Sequence, residues 1–136
     1  MSLMNWKECE KDFIRKAEPD LERAEAISEK AIRRLERARN GKETDFIVED
    51  YYEAIKEFLT AYLLRSGLRS KNHQCLISFF YMKNPTLEFE ANLIQQMSFF
   101  RNRLEYYGES IPNEFYIKNK AEFEKVIKII RKLMEK

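Results

Sequence analysis

The stretch that decides the fold spans residues 44–67 and reads TDFIVEDYYEAIKEFLTAYLLRSG. Apolar and aromatic residues recur there at spacings of three and four, which is the period of one helix face. Thr44 or Asp45 can cap the start of this helix, and Gly67 can adopt the left-handed conformation that ends one. The apolar face is wide enough to imply contacts on more than one side, so we expect this to be the central helix.

A long amphipathic segment precedes the central helix. Small and aliphatic residues recur in it at alternating spacings of three and four: Ile14, Ala17, Leu21, Ala24, Ser28, Ala31, Leu35 and Ala38. The phase is the same on both sides of Pro19, so the pattern predicts one helix over residues 5–39 with a kink or a restart at Pro19. Asn40 and Gly41 then end it.

Three more helices are predicted after the central one. They cover residues 70–83, residues 86–108 and residues 119–136. Their predicted N-terminal caps are Ser70, Thr86 and Asn119, with residues 109–118 expected to be irregular. We therefore predict an all-α bundle of about five helices with up-and-down topology, forming one domain over residues 1–136 in which residues 1–4 read as a short leader.

The composition supports this class and limits the functions to consider. Only 3 Gly and 3 Pro accompany 44% hydrophobic and 35% charged residues, which is typical of a helical protein with few tight turns. The net charge of +2 neither demands nor excludes nucleic acid. Residues 58–87 contain no acidic residue but include Arg65, Arg69, Lys71 and Lys83, which predicts one basic end. Such a surface can follow a phosphate backbone, and the alternative is an ordinary solvated face.

The two cysteines, Cys9 and Cys75, lie far apart in sequence, and the chain has one histidine. This pattern favours neither a zinc site nor a disulfide framework, so we expect no metal and two free thiols. The chain also shows no pattern of a secretory leader and no apolar run of spanning length. We therefore expect a cytoplasmic protein without a membrane role.

Residues 97–108, MSFFRNRLEYYG, are the place where a cation interrupts a predicted core face. Arg101 lies four residues after Met97 and three before Leu104, at the edge of the apolar face. A guanidinium in that position needs a partner or a function. One alternative is an ion pair with Glu105 one turn later, with Asn102 merely solvated.

Several of these stretches resemble HEPN (higher eukaryote and prokaryote nucleotide-binding) domains. YYEAIKEF at residues 51–58, LLRSGL at 63–68 and KNH at 71–73 resemble the second helix of that family and the turn after it. Arg101 and Asn102 resemble the start of the family's Arg-x(4–6)-His motif. The likeness extends from about residue 17 to the C-terminus in helix order.

The resemblance implies a helical homodimer that works without a metal or other cofactor. Active members of the family are ribonucleases in which Arg and His from two subunits share one cleft, and many are toxins paired with a small nucleotidyltransferase antitoxin. In this chain the motif histidine is absent, and Tyr106 or Tyr107 occupies its place. Tyrosine, with an ordinary pKa of about 10, is a poor base near neutral pH. His73, beside Arg69 and Lys71, is the other group that can handle a proton.

Three functions follow as hypotheses. The preferred one is a module with degenerate or weak catalysis that binds RNA or nucleotide through Arg101, Asn102, Arg65, Arg69 and Lys71, as partner of a small nucleotidyltransferase. In the family, a tyrosine beside the motif can receive nucleotidyl groups, which makes Tyr106 and Tyr107 candidate modification sites; otherwise one of them packs and the other faces water. The second hypothesis is a metal-independent ribonuclease that uses Arg101 with His73 or Tyr106. The third is a helical protein-interaction module without a nucleic-acid role.

Overall fold

The computed structural model describes residues 3–135, and Met1, Ser2 and Lys136 lie outside the described residues. The helices are α1 (Trp6–Asp12), α2 (Leu21–Arg39), α3 (Thr44–Arg65), α4 (His73–Lys83), α5 (Glu88–Tyr107) and α6 (Asn113–Met134). Two short strands, β1 (Ile14–Lys16) and β2 (Leu68–Ser70), form an antiparallel pair, and a 3₁₀ turn covers Pro85–Leu87. The predicted all-α bundle is confirmed.

Helix α3 is central, as its wide apolar face predicts. It packs against α2, α4, α5 and α6. The side chains of Ile55 and Phe58 are completely buried in the middle of the helix. The helix ends where Gly67 takes a φ of +75°, a conformation that a side chain would strain. Burial on several sides explains why α3 shows a broad apolar face rather than a narrow stripe.

Helices α2 and α3 form an antiparallel hairpin fixed by small residues and ion pairs. The predicted seam is partly confirmed on α2: the side chains of Ala24, Ala31, Leu35 and Ala38 are buried, but Leu21 at the start of the helix is 57% exposed. Arg37 donates to the buried Asp50 through Nε and Nη2 at 2.9 and 2.6 Å. One turn earlier on α2, Arg34 lies 2.5 Å from Glu57. The two ion pairs fix the register of the hairpin.

The prediction of one helix over residues 5–39 is wrong. The chain leaves α1 after Asp12, forms β1, and restarts as α2 with the Asp20 carboxylate accepting from the Arg23 N–H at 2.9 Å. Pro19 disfavours a helical conformation for the residue before it, and strand pairing with β2 satisfies the backbone of residues 14–16. The pairing partners lie more than 50 residues away, so local periodicity could not reveal them.

The predicted caps are also wrong in several places. Asn72, not Ser70, caps α4, and Ser70 lies on β2. Glu43 is the residue before α3 and gives no side-chain cap, while the Asp45 carboxylate accepts from the Ile111 N–H at 2.6 Å. Thr86 lies within the 3₁₀ turn. The side chains of Asp45 and Ser70 thus make a tertiary contact and a turn contact in place of the helix caps that local sequence predicts.

Helix α6 begins at Asn113, six residues before the predicted start at Asn119. The side chain of Asn119 instead donates to the Phe115 carbonyl at 2.9 Å, one turn earlier in the same helix. The ring of Phe115 packs on Phe100 at 4.6 Å between centroids and on Phe123 at 5.8 Å. Aromatic packing therefore stabilises a helical turn that the polar residues around it do not predict.

The expectation of free thiols is wrong, because Cys9 on α1 and Cys75 on α4 form a disulfide. Their Cα atoms are 5.6 Å apart, within the usual range for such a bond. Both side chains are completely buried. Disulfides are rare in most cytosolic proteins, so the cytoplasmic location stays a prediction.

The segment before α1 is packed where the structure describes it. Leu3 and Met4 lie against the core, and the Ser78 hydroxyl donates to the Met4 carbonyl at 2.6 Å. Met1 and Ser2, the other half of the predicted leader, lie outside the described residues. The N-terminal segment and the disulfide therefore both attach α1 to α4.

Candidate functional site

A strip of polar side chains runs along α3 and continues onto α4 and α5. We call it the polar strip, and its members are Glu49, Glu53, Lys56, Thr60, His73 and Arg101. The four residues from α3 are spaced by four, three and four positions, so they share one face of that helix. His73 is the first residue of α4, and Arg101 lies in the second half of α5. Three helices thus contribute charged or titratable groups to the strip.

Arg101 is held in place by α3. Its Nη2 lies 3.1 Å from Glu53 Oε1, and its Nη1 donates to the Asn102 side-chain oxygen at 3.3 Å. The side chain of Arg101 is 22% exposed, so one part of the guanidinium still faces solvent. The ion pair with Glu105 is not formed, because the tertiary partner on α3 takes its place. Arg101 and Asn102 therefore lie together on the strip.

Glu53 is shared between two cations. Its Oε2 lies 2.6 Å from Lys56 Nζ, while Oε1 faces Arg101. Glu53 alone neutralises only one of these two positive charges, and the Glu49 carboxyl also interacts with Arg101. The pairs are only partly exposed, with Glu53 12% and Lys56 19% accessible, and solvent screens them less than surface pairs.

An acidic pair lies at the other end of the strip. Burial raises the pKa of the Glu49 carboxyl, and the neighbouring Glu105 raises it further through its charge and a hydrogen bond. The charge of Arg101 opposes this shift. The strip is therefore polarised along α3, with carboxyl groups near Glu49 and cations near Lys56.

His73 lies within the electrostatic range of the cations. Although the residue is exposed overall, partial burial of the imidazole lowers its pKa, the charges of Lys56 and Arg101 lower it further, and Glu53 opposes them. The ring is therefore neutral near pH 7, which is the form that accepts a proton. The structure thus brings His73 and Arg101 into one neighbourhood, although they are 28 positions apart in the chain.

A buried hydrogen-bond network lies beside the strip. The Gln74 side-chain amide donates to the Ser98 hydroxyl at 2.8 Å, which links α4 to α5. Burial raises the pKa of the Tyr52 phenol on α3, and a hydrogen bond with Ser98 partly offsets the rise. The network joins the three helices that carry the strip, so it fixes the relative positions of Arg101, Lys56 and His73.

A cavity of about 190 Å³ opens next to His73, bounded by α2, α3, β2 and α4. We call it the Arg69 cavity. Its polar lining consists of Arg23, Thr60, Arg69, Ser70 and His73. Its apolar lining consists of Ile27, Leu63, Leu64, Leu68 and Leu76. No lining residue is acidic, so cations and an apolar floor define its chemistry.

The remaining candidates from the sequence lie elsewhere. Tyr106 and Tyr107 are 71% and 70% exposed, so the expectation that one of them packs is wrong. Tyr107 lies under the Arg103 guanidinium, whose carbon is 4.9 Å from the ring centroid. Arg65 lines a separate groove between α2 and α6. Lys71 is exposed after β2, and its backbone N–H donates to the Phe13 carbonyl at 2.9 Å.

The site predicted from the sequence did not include Glu53, Lys56 and Thr60 on α3 or Arg23 on α2. For the three residues on α3, the spacing in the sequence could have indicated them. With Glu49 they form a regular polar series between buried apolar positions of α3, and such a series needs polar contacts or a function. For Arg23 no local pattern distinguishes it from the other arginines of α2, because only the fold brings it beside Arg69.

Comparison with models of known protein families gives no match, and no curated protein or solved structure matches the chain. Within residues 3–135, no three His, Cys, Asp or Glu side chains are grouped closely enough to hold a metal ion. Over the same range, every helix is too short or too polar to cross a membrane. The polar strip and the Arg69 cavity are therefore the features of the described residues that bear on function.

Proposed function

We propose that the protein is a HEPN-like module that binds RNA or nucleotide along the polar strip, with weak or degenerate catalysis. The observation that supports this most is that Arg101 of α5 and Lys56 of α3 share one carboxylate, Glu53, within electrostatic range of His73 on α4. A phosphate placed there meets the guanidinium of Arg101 and the ammonium of Lys56, in competition with Glu53 and, at Arg101, with Glu49. His73 adds a ring nitrogen and a flat surface on which a base can stack.

Binding takes precedence over catalysis for a chemical reason. The family motif that Arg101 and Asn102 resemble supplies its own histidine from the same helix, and this chain carries exposed tyrosines there instead. Cleavage through the ribose 2′-hydroxyl needs a group that exchanges a proton near pH 7, which tyrosine does poorly. Arg101 keeps its ability to bind phosphate without that group.

The proposal includes two protein partners, a second copy of the chain and a small nucleotidyltransferase. Phe99 and Tyr106 are seven residues apart on α5, so they share one face, and both are exposed. Apolar and aromatic surface of this kind supports a homodimer. The exposure of Tyr106 and Tyr107 supports their role as acceptors of a nucleotidyl group from the partner enzyme.

A metal-independent ribonuclease is the second candidate, and the position of His73 favours it. A neutral imidazole beside Arg101 has the protonation state of a general base. In such a reaction His73 removes the proton from the 2′-hydroxyl as its oxygen bonds to phosphorus, and Arg101 stabilises the charge on the pentavalent phosphorus. The bond to the 5′-oxygen then breaks, and the protonated His73 returns the proton to that oxygen. This mechanism takes its histidine from α4 rather than from the motif helix.

We expect Arg101→Ala to weaken binding of a single-stranded RNA about 10- to 100-fold, since a hydrogen bond to a charged group contributes about 1.5–3 kcal/mol. Fluorescence anisotropy with labelled RNA in EDTA, at two salt concentrations, measures this. Arg33→Ala is the matched control, because it removes an exposed arginine from α2 outside the strip, and we expect it to change the affinity less than twofold.

The same samples separate the two candidates. RNA that stays intact with the wild-type protein in EDTA supports the binding module, whereas cleavage abolished by Arg101→Ala and by His73→Ala supports the ribonuclease. Salt-independent binding that Arg101→Ala and Arg33→Ala affect equally would contradict both.

A further inference from the structure

The Arg69 cavity carries more positive charge than its lining alone indicates. In the β1–β2 pair, Arg15 lies directly opposite Arg69. Residues opposed in an antiparallel pair project from the same face, and like charges in that position destabilise the pair. The register thus places two arginines opposite each other on the strand pair whose Arg69 lines the cavity, and an anion bound there would offset their repulsion.

These cations lack the partners that other arginines of the chain have. Within residues 3–135, the side chains of Arg15, Arg23 and Arg69 form no salt bridge, whereas Arg34, Arg37, Arg39, Arg101 and Arg103 each pair with a carboxylate. Arg33, Arg65 and Arg131 also form no salt bridge in the described residues, but of the unpaired arginines it is Arg23 and Arg69 that line this cavity. Uncompensated guanidinium groups that converge from α2 and β2 suit a doubly charged anion.

The hydroxyl groups of Thr60 and Ser70 in the cavity are not free to donate a hydrogen bond to an anion. Thr60 donates to the Lys56 carbonyl at 2.9 Å, and Ser70 donates to the Asn72 carbonyl at 2.7 Å. Their protons are already used within the protein. The arginines and the His73 ring are thus the donors that remain for a ligand.

The floor of the cavity has the opposite character. Five aliphatic side chains from α2, α3, β2 and α4 line it. The volume of about 190 Å³ is below the range of about 300–1,000 Å³ in which whole drug-sized ligands are enclosed. It therefore accepts one part of a ligand, with the rest outside. A flat, weakly polar ring against the floor leaves a charged group at the rim, beside the arginines.

We propose that the Arg69 cavity binds a nucleotide that ends in a phosphomonoester, with its base against the aliphatic floor and its phosphate between Arg23 and Arg69. The phosphomonoester has a second pKa of about 6, so it carries nearly two charges at neutral pH, against one for an internal phosphodiester. The ligand is either a free mononucleotide or the phosphorylated end of an RNA. This inference rests on the proposed function, because the cavity shares His73 and Thr60 with the polar strip.

The test compares ligands that differ only in the phosphate. AMP is compared with adenosine by calorimetry, and an RNA with a 5′-phosphate is compared with the same RNA ending in a 5′-hydroxyl. We expect the phosphorylated member of each pair to bind at least about tenfold more tightly. Arg23→Ala and Arg69→Ala remove most of that preference. Arg33→Ala, ten residues after Arg23 on α2 and about 15 Å away along the axis, leaves it intact.

The outcomes distinguish this inference from the proposed function. AMP binding that depends on Arg23 and Arg69, without any RNA binding, supports the cavity and contradicts RNA recognition along the strip. RNA binding that Arg101→Ala weakens but that ignores the 5′-phosphate, Arg23→Ala and Arg69→Ala overturns the cavity proposal alone. Circular dichroism of each variant checks the fold, and loss of binding counts only for variants that keep the wild-type spectrum.

Discussion

Reduction of the Cys9–Cys75 disulfide is expected to lower the free energy of unfolding by about 4 kcal/mol. The bond joins residues 66 positions apart, so its loss frees a long loop of the unfolded chain and raises the entropy of that state. In the native state the bond also attaches the short helix α1 to α4 within the core. Urea unfolding followed by circular dichroism, with and without a phosphine reductant, measures the difference.

The double variant Cys9→Ala with Cys75→Ala is the control for this prediction. We expect it to be destabilised relative to the oxidised wild type and to be insensitive to the reductant. Two thiols that react with Ellman's reagent in the denatured, unreduced wild type would contradict the disulfide. An unchanged urea midpoint on reduction would contradict its effect on stability.

Phe123→Ala is expected to lower the free energy of unfolding by about 3–5 kcal/mol. The ring is completely buried and packs on Tyr51 of α3 at 5.4 Å between centroids and on Phe115 of α6 at 5.8 Å. Its removal leaves a cavity where α6 packs against the central helix. The urea midpoint of the variant at neutral pH, compared with the wild type, measures the loss.

Ile117→Ala is the matched control, because Ile117 lies in the same helix but is 59% exposed. We expect it to change the free energy of unfolding by less than about 0.5 kcal/mol. Equal effects of the two substitutions would contradict the packing of α6 on α3. Equal effects would also contradict the explanation that aromatic packing causes α6 to begin at Asn113 rather than at Asn119.

The parts of the fold that local sequence predicts are those whose cause is local. The wide apolar face of α3 marks it as central, and the buried alanines of α2 follow from their spacing. Gly67 and Gly108 end helices with φ of +75° and +65°, as glycine after an amphipathic run predicts. In each case the residues that decide the structure lie within one or two turns of one another.

The parts that local sequence did not predict depend on partners far along the chain. β1 forms because β2 lies beside it, and the disulfide forms because α1 packs on α4. Asn119 has the pattern of a helix start, yet Phe115 packs within the core and extends the helix by six residues. A helix start predicted from a few polar residues is therefore overridden where a tertiary contact stabilises a different conformation more strongly.

The candidate site shows the same difference between features with a local cause and features that depend on distant residues. Arg101 is identifiable from its place at the edge of an apolar face, but Glu53 as its partner depends on the packing of α5 against α3. The spacing alone predicts that the polar series on α3 shares one face of the helix. Only the fold shows that His73 of α4 and Arg101 of α5 belong to the same strip. Arg15, Arg23 and Arg69 come from three elements, so no motif could have grouped them.

The most direct test of the central claim is an NMR titration of His73 with and without RNA. It is the only histidine of the chain, so its imidazole signals need no assignment by mutation. In the free protein we expect its pKa to lie below the ordinary value of about 6.5, because of burial and the charges of Lys56 and Arg101. Bound phosphate favours the protonated ring, so saturating single-stranded RNA is predicted to shift the imidazole signals and raise that pKa. Signals and a pKa that stay unchanged at saturation would contradict binding of RNA along the polar strip.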